Sequence, residues 1–123
     1  MSIRSGLLCA SLVTALCLSV TGARAEEKVV QFTVVNVEYE GTKIWLPATL
    51  VVHKGDRVKI KLINNVKSDP NQHGFTIPAY NVAAVVTRGE PANVEFVADK
   101  AGIFSSACQL HPAHVGGQLV VLE

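Results

Sequence analysis

Arg57-Val58-Lys59-Ile60-Lys61-Leu62-Ile63-Asn64 is the stretch that decides the fold. Val58, Ile60 and Leu62 fall on one side of an extended chain and Arg57, Lys59 and Lys61 on the other, so one face is buried and the other wet. Working outward, Lys54-Gly55-Asp56 marks a tight turn before this strand. Val29 to Val37 and Leu46 to Val52 are β-branched runs upstream, with Pro47 tolerable near a strand start or edge. Downstream, Gly74 to Ile77 is a short apolar stretch and Tyr80 to Val86 reads either way. Ala92 to Val97 alternates again, and Ile103 to Ala107 and Gln118 to Leu122 close the chain. Turns at Gly89-Glu90-Pro91 and Asp99-Lys100-Ala101-Gly102 separate them. The count is about seven or eight strands with no amphipathic helix, which predicts an all-β sandwich of two packed antiparallel sheets.

The first 25 of the 123 residues have a different character. Arg4 supplies a positive start, Leu7 to Val20 is an apolar run, and Ala23-Arg24-Ala25 offers the small-x-small pattern cut by a signal peptidase. The run is shorter than the roughly 20 residues of a membrane-spanning helix. Leu8 and Leu16 precede Cys9 and Cys17, where a lipoprotein signal needs a small residue. The expectation is a cleaved secretory signal over residues 1–25, no membrane anchor after cleavage, a domain over residues 26–123 and a periplasmic location. That domain carries nine basic and ten acidic residues, a net charge of −1, with no charge run, so nucleic acid and anionic membranes are excluded as partners.

The chemistry gathers in Cys108-Gln109-Leu110-His111-Pro112-Ala113-His114, one thiol and two imidazoles on a loop between the last two strands. Cys108 is the one cysteine after residue 25 and so has no partner for an internal disulfide. His73, in Asn71-Gln72-His73-Gly74-Phe75, is a fourth candidate, since loops from separate strands gather at one end of a sandwich. Thiolate with imidazole suits copper or zinc rather than magnesium or calcium. The single Met, Met1, leaves with the signal, so an axial position would fall to His114, a backbone oxygen or water. Trp45 reads as core, His53 as surface, and Glu38 and Glu40 as a solvated strand face. No nucleophile–base pair, phosphate loop or paired acid set is visible, and the expectation is a protein that is not an enzyme.

An upstream His, a Lys-Gly-Asp turn between strands and a terminal Cys-x2-His-x2-His loop together resemble the cupredoxins over essentially all of residues 29–123. Val52-His53-Lys54-Gly55-Asp56, Ala98-Asp99-Lys100-Ala101-Gly102 and Cys108 to Pro112 are closest to the nitrosocyanin-like members. The chain departs from those members in a loop two residues shorter and in having His73 where they carry a Glu before Gly-Phe. The resemblance implies a Greek-key β-sandwich holding one copper ion through His73, Cys108, His111 and His114, and a single cysteine in the loop argues against a binuclear centre. It implies one-electron transfer with a redox partner protein. The alternative is copper binding or buffering in copper homeostasis with a copper-trafficking partner, and a third reading is catalysis at an open copper position.

Overall fold

The computed structural model describes residues 26–123 together with Gly22. The expected signal segment, with Cys9 and Cys17, lies outside the described residues. Nine strands follow one another: β1 (Val29–Tyr39), β2 (Thr42–Leu46), β3 (Thr49–His53), β4 (Arg57–Asn64), β5 (Gln72–Ile77), β6 (Val82–Thr87), β7 (Ala92–Val97), β8 (Gly102–Ser106) and β9 (Gly117–Leu122). One sheet has the order β2-β1-β4-β7, a second β3-β9-β8, and β5-β6 forms a ribbon. β1 with β4 and β3 with β9 run parallel; the other pairs are antiparallel. This is a β-sandwich.

The alternation of β4 is realised as read. Val58, Ile60 and Leu62 are fully buried while Lys59 and Lys61 are exposed. They meet Val34, Leu50, Val52, Phe75, Ile77, Val86, Leu119 and Val121 in one core drawn from every sheet. Burying a Val, Leu or Ile side chain contributes about 1.5–3 kcal/mol, so this cluster is the main source of stability. The turn at Lys54-Gly55 is clamped, with Asp56 Oδ2 accepting the His53 N–H at 2.9 Å. Gly55 N donates to Ala98 O at 2.7 Å and Ala98 N to Asp56 O at 2.9 Å. The two turn segments that carried the family likeness are therefore neighbours in space.

Two breaks were not anticipated, and they raise the strand number to nine. Glu40 and Gly41 adopt φ of +48° and +79° between the paired residues Tyr39 and Thr42. Positive φ at both central residues makes a two-residue hairpin turn whose twist matches the flanking strands. The expected single strand over Leu46 to Val52 is split, because Leu46 ends β2 in one sheet and Thr49 begins β3 in the other. Pro47 has no N–H to give a ladder and sits at this crossing. The ambiguous segment resolves into a 3-10 turn, Pro78–Tyr80, and β6, separated by Asn81 at φ +53°. Among the described residues, no helix is long and apolar enough to cross a membrane.

Candidate metal centre

The candidate residues come from two places, and backbone pairing brings them together. Just before Cys108, Ala107 exchanges two hydrogen bonds with Thr76 of β5, at 2.9 and 3.0 Å. That bridge sets the end of β8 beside the ribbon that carries His73. Beyond it the chain makes two successive turns: His111 N donates to Cys108 O at 3.2 Å, and His114 N to His111 O at 2.9 Å. A three-residue repeat in tight turns brings side chains at i, i+3 and i+6 to one side. The Cys-x2-His-x2-His spacing thus has a direct geometric result: Cys108, His111 and His114 face one point, with His73 opposite.

One donor atom from each of His73, Cys108, His111 and His114 lies within 4.8 Å of the others. Metal–nitrogen bonds of about 2.0–2.1 Å and metal–sulfur bonds of about 2.3 Å set donors roughly 3.3–4.4 Å apart, so a small inward movement closes this set on one ion. The rings of His111 and His114 stack at 4.6 Å, and His73 lies 5.0 and 5.2 Å from them. Cys108 Sγ is 3.5 Å from His111 Nδ1.

The strongest sign of a ligand is what these groups lack. His73 is fully buried, and neither ring nitrogen has a hydrogen-bond partner; His114 Nδ1 is buried and unpartnered too. Buried polar atoms are rarely left so, because each costs about 1–3 kcal/mol. An ion accepting one lone pair from each ring removes that cost at the nitrogen it binds. Burial holds the His73 pKa below its ordinary value, and the neighbouring His111, His114 and Lys43 push the same way, against a weaker upward pull from the Pro70 carbonyl. Burial, then His111 and Lys43, also lower His114. Both rings are therefore biased to the neutral form that binds metal.

The sulfur is held from the other side. Gly74 N donates to Cys108 Sγ at 3.1 Å, and Gly74 O accepts from Trp45 Nε1 at 2.8 Å. Trp45 is core, as read, and packs edge-on against Phe75 at 5.5 Å. A Cβ at position 74 would strike the Gln109 side chain, which donates to Ala84 O at 3.0 Å. Glycine leaves room there for the Gln109 side chain.

Two supports were missed from sequence. Asn64 is buried at the end of β4; its Nδ2 donates to Asn71 O at 3.0 Å and to Val86 O at 3.1 Å, and its Oδ1 accepts from Val66 N at 3.0 Å. Val86 is the cross-strand partner of His73, so Asn64 fixes both the approach to that histidine and the strand beside it. Glu38 is not on a solvated face: its side chain is mostly buried, accepts from the Ser68 hydroxyl and pairs with Lys43 at 3.7 Å. The Ser68 hydrogen bond, helped by Lys43, keeps its carboxyl below the usual range despite burial. Glu40 is exposed in the turn, and His53 is exposed as expected.

Comparison with known proteins agrees with this geometry. Nitrous-oxide reductase of Cupriavidus necator is 49% identical over 55 residues, 45% of this chain and 9% of that protein. Nitrous-oxide reductase of Ralstonia nicotianae is 44% identical over 55 residues, 45% of this chain and 8% of the relative. The match thus spans less than a tenth of the length of these curated relatives. Copper nitrite reductase from Nitrosomonas europaea superposes with a TM-score of 0.60 at 25% identity, covering 77% of this chain and 42% of that one. The expectation of a protein that is not an enzyme is corrected here: the relatives matched in sequence and structure are reductases. The lack of a nucleophile–base pair in the sequence has no bearing on such chemistry, because a metal centre supplies reactivity without one. The fold, the likeness to a copper nitrite reductase and the His/Cys/His/His donor set fit a single copper ion. The family model for the cupredoxin-like domain matches residues 8–121, and the chain belongs to the cupredoxin-like domain family.

Proposed function

We propose that this chain is a mononuclear copper protein of the periplasm that carries one electron at a time, with His73, Cys108, His111 and His114 as its ligands. The carrying observation is the set of four donors within 4.8 Å, with the buried ring nitrogens of His73 and Nδ1 of His114 lacking any other partner. Copper bound there would supply a one-electron couple, with the thiolate as the most covalent link to it. The chain's own residues do the rest. Cys108 and His73 are buried, which keeps water from the sulfur side, while His111 and His114 are half-buried and give an edge toward solvent. Exposed Leu110 and Val115 flank them, an apolar surround against which a partner can exclude water. Gly74 N–H, donated to the sulfur, fixes the position of Sγ. Rigid attachment of both loops through the Thr76–Ala107 bridge and Asn64 limits rearrangement between oxidation states.

Reductases take in electrons, so partial likeness to two of them supports an electron-carrying centre serving such chemistry. The test is voltammetry of the protein, residues 26–123, loaded with one equivalent of cupric ion. The expected result is a reversible one-electron wave. Irreversible reduction with copper release would instead support copper handling, the second reading, which the three imidazoles favour by suiting cupric ion.

A further inference from the structure

The hairpin of β1 and β2 carries a charged pair beside the centre that the ligand set does not use. Lys43 and Glu38 are opposite one another in the hairpin register, their charged ends 3.7 Å apart, and both are about four-fifths buried. Lys43 is two residues before Trp45, so it shares the face from which Trp45 reaches Gly74 O next to the Cys108 sulfur. Its backbone oxygen accepts from Val115 N at 3.3 Å, the residue directly after His114. Glu38 in turn accepts from Ser68, whose carbonyl is held by Arg88 Nη2 at 3.0 Å, in the loop leading to His73. The pair is therefore fastened to both histidine-bearing segments.

We propose that Lys43 is a fixed positive charge built beside the copper centre to favour the cuprous state, with Glu38 as its counterweight. The inference rests on the copper reading above. Adding one electron to the cupric site lowers its charge by one unit, with no proton or bond change needed at either residue. A nearby ammonium disfavours the more positive state and a nearby carboxylate favours it. Neither residue touches the metal; Lys43 and Glu38 act on it through the field they set.

The test is the midpoint potential of copper-loaded protein, read by redox titration with one-electron mediators, for Lys43→Met, Glu38→Gln, their double variant and Lys43→Arg. A unit charge partly screened by solvent changes the ratio of cuprous to cupric affinity by about three- to tenfold, and tenfold is about 59 mV for one electron. Lys43→Met is expected to lower the potential, Glu38→Gln to raise it, and the double variant to return toward wild type. Lys43→Arg keeps the charge and is expected to leave the potential near wild type. Loss of packing alone would move both single variants the same way and compound in the double. That pattern, or potentials unchanged in copper-loaded singles, overturns the inference. A wild-type protein that takes up no copper overturns the copper reading and this inference with it, an outcome visible before any variant is made.

Discussion

Replacing His73 by Leu separates the demands of folding from those of the metal. His73 is fully buried with both ring nitrogens unpartnered by protein groups. Leaving a buried polar group unsatisfied costs about 1–3 kcal/mol, and an apolar side chain of similar volume avoids it at a repacking cost below about 1.5 kcal/mol. The expected outcome is a metal-free His73→Leu variant more stable than wild type by about 1–2 kcal/mol. For a domain of this size each kcal/mol raises Tm by about 4–8 °C. The pH dependence has a definite sign. The folded-state pKa of His73 is lowered from 6.5, so its stabilising contribution is present above that value and is lost as pH falls through the folded pKa. The stability gap between variant and wild type should therefore widen from pH 7.5 to pH 5.5. Cupric ion should invert the order, since a ligand at a thousand times its Kd stabilises by about 4 kcal/mol and the variant has lost a donor. Urea unfolding with a chelator, at both pH values, and again with one equivalent of copper, measures all three. A metal-free variant less stable than wild type by about 2 kcal/mol or more, with no pH-dependent gap, would refute the reasoning.

Other substitutions probe the surroundings of the site. Gly74→Ala pushes the exposed end of the Gln109 side chain aside and is expected to cost about 0.5–1.5 kcal/mol in denaturant unfolding, the worth of its hydrogen bond to Ala84 O, with copper affinity near wild type in a metal titration. Asn64→Leu strands Val66 N, Asn71 O and Val86 O; denaturant unfolding should show a loss of about 2–4 kcal/mol and a metal titration lower affinity, because the anchors of His73 are released. His114→Met trades a strong donor for a weak one; the potential should rise and the spectrum move toward that of an ordinary blue site, whereas an unchanged spectrum would put His114 outside the ligand set.

The sandwich was legible because β4 alternates strictly and because glycine-rich turns punctuate the chain on both sides. Three of the four donors were legible for a similarly local reason: seven consecutive residues contain them, and two tight turns are enough to align them. His73 is different. It is 35 residues from Cys108, and only the gathering of loops at one end of a sandwich and the likeness of its Gly-Phe context to a known family made it a candidate before Thr76 and Ala107 were seen to pair. Lys43 and Glu38 were not legible, because their pairing depends on the Glu40-Gly41 turn. A glutamate at φ +48° is an unusual occupant of a position that favours Asn, Asp or Gly, so the hairpin gave no sequence signal. Asn64 was hidden for a related reason: it continues the apolar face of β4 as a buried residue, and its three partners lie on segments whose approach a period-2 reading does not specify. The kinship with reductases was also out of reach, since periodicity and motif spacing report folding and donor sets rather than the reaction a centre serves.

The central claim is that Cys108 and the three histidines bind one copper ion together. The most direct measurement is the visible and electron paramagnetic resonance spectrum of the protein, residues 26–123, titrated with cupric ion, beside Cys108→Ser. The account predicts an intense sulfur-to-copper charge-transfer band that saturates at one equivalent, with nitrogen coordination, and its loss in Cys108→Ser. A cupric spectrum without a thiolate band, or one unchanged by Cys108→Ser, would contradict it.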